Sequence, residues 1–325
     1  YYMTNRSCPY SKSILERAFE GGYNFISALI GQECCTTMNR MEQYFEYCEL
    51  IPNEKFFCTY LDMPLRKTEW HAGYYRRQIE QKILQPLEKV YGVDFSEANL
   101  RKAVEQFNEV CRIMTEINAM REAEHTVITG YELHVIQLCA QPCPKDLIQP
   151  YLRTREPDPK PGYRARVLIA GSEIDDPEFT KMCEMAGGLV VADRYCFGSM
   201  PGREEIPLEE GKDVLQSIAD YYMWRNQCPR AMGPENIIAR KRYIFDLVEK
   251  YHADGIIVAN MKFCEYWGYE RAQDGMWFYE GYELPRSVPV CQIEKDYTSA
   301  ASGQLRTRFQ AFIESLEIKK LQAQQ

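Results

Sequence analysis

Gly255-Ile-Ile-Val-Ala-Asn-Met-Lys-Phe-Cys264-Glu-Tyr-Trp267 reads as one strand and its outlet. The run Ile256-Ile-Val-Ala259 has no polar alternation, so it suits a parallel strand covered on both faces. The strand is read over Gly255–Asn260, and Cys264 falls just beyond its carboxyl end. In open α/β sheets that edge is where ligands collect. Two more cysteines stand at comparable element ends: Cys8 in Ser7-Cys-Pro-Tyr10, and Cys35 after Phe25-Ile-Ser-Ala-Leu-Ile30. One cysteine alone is more often a small buried hydrophobe than a ligand. Three thiols at element ends suit an iron–sulfur cluster with one iron left open.

Composition narrows the class. The chain has 325 residues, enough for two domains, each with its own core. It opens on Tyr1 rather than Met, which leaves room for residues before it. The net charge of −8 argues against a nucleic-acid surface. No run of about 18 apolar residues points to a membrane span, and no signal-peptide pattern opens the sequence. Thirteen cysteines at irregular spacings do not read as a secreted disulfide framework. Reduced thiols in the cytoplasm are expected, some of them metal ligands.

Around the central stretch the chain reads as α/β. A helix from Ser11 to Glu20 stops at Gly21-Gly22, strands follow at Phe25–Ile30 and Phe56–Leu61, and a helix capped by Thr36 or Thr37 lies between them. Residues 69–121 turn helical, with Ala103, Phe107, Val110, Met114 and Ile117 as one stripe. Glu156-Pro-Asp-Pro-Lys-Pro161 has the composition of a linker, which places an N-terminal α/β domain over 1–155 and a C-terminal Rossmann-like domain over 162–325. Beyond it, strands are expected at Arg166–Gly171, Gly187–Ala192, Gly255–Asn260 and Val288–Ile293, with Asp176 as an N-cap before Pro177. Gly171-Ser172 before that helix would make a weak anion cradle, since only one glycine of a dinucleotide fingerprint is present. The expected fold is two Rossmann-like doubly wound domains with additional covering helices.

Four pieces carry a family resemblance: Cys8-Pro-Tyr10, Cys35-Thr-Thr-Met-Asn-Arg40, Met261-Lys-Phe-Cys264-Glu, and Glu294-Lys-Asp-Tyr297 with Gly303-Gln-Leu-Arg-Thr-Arg308. The loop Asp193-Arg-Tyr-Cys-Phe-Gly198 and Cys228-Pro fit it as well. The chain resembles the 2-hydroxyacyl-CoA dehydratase and benzoyl-CoA reductase family from Cys8 to about Leu316. The resemblance implies a heterodimer of similar subunits, each with a [4Fe–4S] cluster between two Rossmann-like domains. It also implies a separate ATP-hydrolysing iron–sulfur activator, so that ATP is used by a partner and not by this chain. The substrate would be a CoA thioester that accepts single electrons at low potential. By position the ligands are Cys8, Cys35 and Cys264. The second motif usually reads Cys-Asp; here it is Cys35-Thr36 with Cys34 just before, which keeps Cys34 open as the ligand. Lys262 and Arg306 would offset cluster or phosphate charge, or stand as plain solvated cations. Benzoyl-CoA dearomatisation is the first expectation, with Tyr10, Phe197, Phe263, Tyr266 and Trp267 as aromatic neighbours of the acyl group. Dehydration of a 2-hydroxyacyl-CoA through a ketyl radical is the alternative, and a cluster-bearing electron relay or a generic binding protein with core thiols are further ones.

Overall fold

The computed structural model describes residues 2–33, 35–140, 162–199, 204–225, 227–231, 233–279, 287–297 and 301–323. These pack into two units: residues 1–106 with 206–233, and residues 107–205 with 234–325. The segment Glu156–Pro161, expected as the boundary, lies outside the described residues.

The second unit holds the central stretch. Its strands are β3 (Ala165–Gly171), β4 (Gly188–Arg194), β5 (Gly255–Met261) and β6 (Val290–Lys295), all parallel in the order β4-β3-β5-β6. In chain order of these strands that is 2-1-3-4, the doubly wound arrangement whose switch point lies between the first and third. The apolar runs go where two-sided burial puts them: every residue of β4 and β5 is buried. Ile169, Ile257 and Ile293 face one core with Phe179 of α7 (Pro177–Met185) and Phe309 of α11 (Ala301–Ala323). Leu168, Ile256 and Val258 face a second core with Ile244 and Val248 of α9 (Pro234–Lys250). Two further helices of this unit are α6 (Gly130–Ala140) and α10 (Glu265–Tyr279).

The first unit is smaller than the expected doubly wound domain. Among the described residues it has two parallel strands, β1 (Ala28–Gln32) and β2 (Phe57–Leu61), flanked by α1 (Pro9–Phe19) and α2 (Thr36–Tyr47). After β2 the chain turns helical through α3 (Glu69–Ile79), α4 (Gln85–Tyr91) and α5 (Glu97–Ala119), so no further strand extends the sheet there. The division between units falls within α5. The helix after Ile206, α8 (Val214–Arg225), also belongs to this unit. It packs on α3, where Leu215 and Ala219 join Leu61, Tyr75 and Ile79 in one core. Arg76 Nε reaches Asp213 Oδ2 at 2.6 Å across the same contact. Its apolar face matches a helix far away in the sequence, which local periodicity does not report.

Candidate functional site

Cys8, Cys35 and Cys264 share one local geometry. Each precedes a helix and its carbonyl accepts the first helical hydrogen bond: from Lys12 N at 3.1 Å, Asn39 N at 3.0 Å and Gly268 N at 2.9 Å. Each cysteine therefore sits at the positive end of a helix, which favours an anionic group bound there. Cys35 takes the N-cap position in place of the expected Thr36 or Thr37, with Thr37 Oγ1 3.4 Å from its sulfur.

In the first unit two of these helix ends lie side by side. Ser11, three residues past Cys8, donates its hydroxyl to Met38 Sδ at 3.1 Å, and Met38 lies three residues past Cys35. The opening turns of α1 and α2 are thus in contact, so Cys8 and Cys35 head neighbouring helices. Glu42 lies two turns further along α2, 4 % exposed, and a Cβ on Gly31 would lie 2.5 Å from its carboxylate. Burial pushes that carboxyl up to about 7, with the nearby Cys35 sulfur and Glu33 adding to the shift. The alternative ligand Cys34 lies outside the described residues.

Cys264 belongs to the second unit, at the switch point of its sheet. Gly171 ends β3 so close to β5 that a Cβ would lie 1.8 Å from the Ala259 carbonyl oxygen. Ser172 N donates to that oxygen at 3.0 Å. The anion-cradle reading of Gly171-Ser172 gives way here: both residues are used to join β3 to β5, and Asp176 itself caps α7.

Two buried polar groups lie at the same sheet edge. A register shift between Val167 and Leu168 accompanies the pairing of β3 with β4, whose last residues are Asp193 and Arg194. Asp193 accepts from Arg121 at 2.8 Å, Gln137 at 3.2 Å and Ser199 Oγ at 2.8 Å. Arg194 lies over the Trp267 ring at 5.0 Å. Nearby, Arg240 and Lys241 of α9 each contact Glu270 of α10 at 2.9 Å, and Lys241 also holds Asp274. Those charges draw Glu270 down to about 2 against the cost of its burial. Trp267, Glu270 and Asp274 recur at helical spacing on α10, the helix headed by Cys264. No sequence motif marked this group; only the charges on one face of the segment after Cys264 could have hinted at it.

The other expected residues are less enclosed. Lys262 is half-exposed, 3.9 Å from Asp296 and 5.4 Å from the Phe263 ring centre. Arg306 is exposed on the first turns of α11. Trp267 serves Arg194, while Phe263 is 44 % exposed. Among the other cysteines, burial pushes the Cys58 and Cys111 thiols up to about 12 and Cys183 well up. Among the described residues no three His, Cys, Asp or Glu side chains converge in metal-ligating geometry. The donor chemistry of Cys8, Cys35 and Cys264 nevertheless fits an iron–sulfur group, being sulfur presented at helix N-termini. No helix among the described residues is long and apolar enough to cross a membrane.

Residues 1–316 match the family model described as 2-hydroxyglutaryl-CoA dehydratase, D-component. The chain is 26 % identical over 314 residues to the (R)-phenyllactyl-CoA dehydratase beta subunit of Clostridium sporogenes, covering 95 % of this chain and 80 % of that protein. It is 22 % identical over 322 residues to the beta subunit of lactoyl-CoA dehydratase from Anaerotignum propionicum, covering 97 % and 82 %. It is 18 % identical over 265 residues to a benzoyl-CoA reductase subunit of Thauera aromatica, covering 79 % and 67 %.

Proposed function

The chain belongs to the 2-hydroxyglutaryl-CoA dehydratase D-component family, and from that membership we propose that it is the cluster-bearing subunit of a heteromeric enzyme acting on an acyl-CoA thioester. The observation that carries this reading is the shared placement of Cys8, Cys35 and Cys264, each heading a helix. We assign these three as ligands of a [4Fe–4S] cluster. When bound, such a cluster supplies low-potential single electrons to the thioester carbonyl. The chain's own part is to present three thiolates at positive helix ends and to hold α10 still through the buried Arg240, Lys241, Glu270 and Asp274 group. Lys262 and Arg306 would meet cluster or phosphate charge. A homologous second subunit and an ATP-hydrolysing iron–sulfur activator complete the assembly, in a cytoplasm that keeps the thiols reduced.

Two outcomes follow from one such electron. Dehydration of a 2-hydroxyacyl-CoA returns the electron, and the dehydratase subunits among the relatives support it. Reduction of benzoyl-CoA retains electrons in the product. The likeness to the reductase subunit and the segments Asp193–Ser199 and Glu265–Arg271 support that second reading.

Anaerobic iron assays on Cys8→Ala, Cys35→Ala, Cys34→Ala and Cys264→Ala test the ligands. Loss of iron is expected in all but Cys34→Ala, and full retention in Cys264→Ala sinks the assignment. The complex with partner subunits, activator, ATP and a strong reductant is then offered benzoyl-CoA and 2-hydroxyacyl-CoAs separately. Enoyl-CoA with ATP needed only for priming identifies the dehydratase; a cyclic diene with ATP consumed on every turnover identifies the reductase.

A further inference from the structure

The turn that delivers Cys264 is closed by a ring of hydrogen bonds drawn from three strand ends. Ser172, fully buried just past β3, accepts at its hydroxyl from Met261 N at 2.6 Å. Met261 O accepts from Cys264 N at 3.0 Å, which closes the turn on itself. Lys262 N donates to Lys295 O at 2.8 Å, at the end of β6. The Lys295 ammonium, itself on a residue 4 % exposed, reaches back to Glu173 O at 3.2 Å, next to Ser172. The cycle therefore runs from Ser172 to Met261 and Lys262, on to Lys295, and back through Glu173. Ser172 O also accepts from Cys196 N at 3.4 Å, tying in the outlet of β4.

Inside this ring Phe263 has φ 61°, the left-handed region that a bulky side chain rarely adopts. Such a conformation persists only where its surroundings over-determine it, and it gathers at functional sites. Here the surroundings are named: Ser172 and Lys295 fix the backbone before Phe263, and the buried ion group of α10 fixes it after Cys264. A loop that merely connected β5 to α10 would not require a strained aromatic held from both sides.

We propose that Ser172 is a positioning residue. With the Lys295 carbonyl it clamps Met261–Cys264 in one preset turn, so that the Cys264 sulfur stands at a fixed place before any metal arrives. This rests on the reading of Cys264 as a cluster ligand, and two measurements separate the clamp from that reading. The first is hydrogen exchange on the full chain prepared without iron. The amides of Met261, Lys262 and Cys264 are expected to be protected to nearly the level of β5, and Ser172→Ala to speed their exchange by about 10-fold or more while β5 stays protected. Loop-like exchange of these amides in the unaltered chain overturns the clamp, as does unchanged exchange in the variant. Should Ser172→Ala not fold, the unaltered chain alone decides. The second is made on the iron-loaded chain. Ser172→Ala is expected to retain iron but to shift the electron paramagnetic resonance signature and midpoint potential of the cluster. An unchanged signature overturns the positioning role. Full iron retention in Cys264→Ala would instead show that the ligand reading has failed, whatever the exchange data show.

Discussion

β1 of the first unit and β5 of the second both lead towards a cysteine that heads a helix, yet all seven residues of β5 are buried and only one of the five in β1 is. β5 lies between two neighbours in a four-stranded sheet; β1 has one partner among the described residues. The charges differ in the same way. The second unit buries Arg240, Lys241, Glu270 and Asp274 together, whereas a first-unit pair such as Arg17–Glu20 stands in solvent at 3.3 Å. The same cysteine-at-helix-end device is thus built on a deep core in the second unit and, twice, on a shallow one in the first. Position alone does not require depth, because hydrogen bonds and helix ends are local.

The contrast is broken most forcefully at the buried charges. Glu270→Ala should strand Arg240 and Lys241 without their shared carboxylate and cost about 3–5 kcal/mol, whereas Glu20→Ala should cost no more than about 1 kcal/mol. Urea denaturation reads both, and equal losses would erase the distinction. Next come the strands. Ile257→Ala, at a fully buried position, should cost about 2–5 kcal/mol. Leu29→Ala in β1 should cost well under half of that because Leu29 is only partly buried. Native-state hydrogen exchange should likewise show β5 opening only with global unfolding and β1 opening locally.

The pH dependence sharpens the comparison further, because each unit buries a carboxyl raised to about 7. In the second unit this is Glu184, raised by burial although it accepts from Gly130 N at 2.7 Å and Tyr131 N at 3.2 Å. In the first it is Glu42. A folded-state value above the unfolded 4.5 means that the folded chain holds the proton longer. The stabilisation is complete below pH 4.5 and is lost as pH rises through about 7. Glu184→Gln and Glu42→Gln should each flatten the fall in stability between those limits, measured by denaturation at stepped pH; a slope that survives both substitutions contradicts the assignment. The smallest effect is expected at the helix caps. Thr68→Ala and Asp176→Ala each remove one side-chain acceptor at a helix start and should each cost about 1 kcal/mol. The two should agree, since a cap does not depend on the depth of the core behind it.

Much of the second unit is legible in sequence because its signals are local. Continuous apolar runs mark β3, β4 and β5, and Asp176 before Pro177 marks the start of α7. Cys264 is legible for the same reason, as it follows the strongest run. The first unit is less legible. Its strands are short and half-exposed, and an expected doubly wound sheet is a two-stranded one among the described residues. Sequence also places the cap of α2 one or two residues past Cys35, since cysteine has no capping preference to announce it.

The amino-acid order by itself marked the apolar strands β3 to β5, the cysteines that follow strands or precede helices, and the family to which the motifs are similar. It could do so because periodicity, capping and motif spacing act over a few residues. It set β1 at Phe25–Ile30 rather than Ala28–Gln32 and did not announce α6 or α10. Only the tertiary structure decided that α8 packs on α3, that Arg121 meets Asp193 across 72 residues, and that Ser172 holds Met261 across 89. Those pairings arise where distant segments must satisfy one another's buried polar groups and apolar faces, a requirement that exists only once the chain has closed on itself.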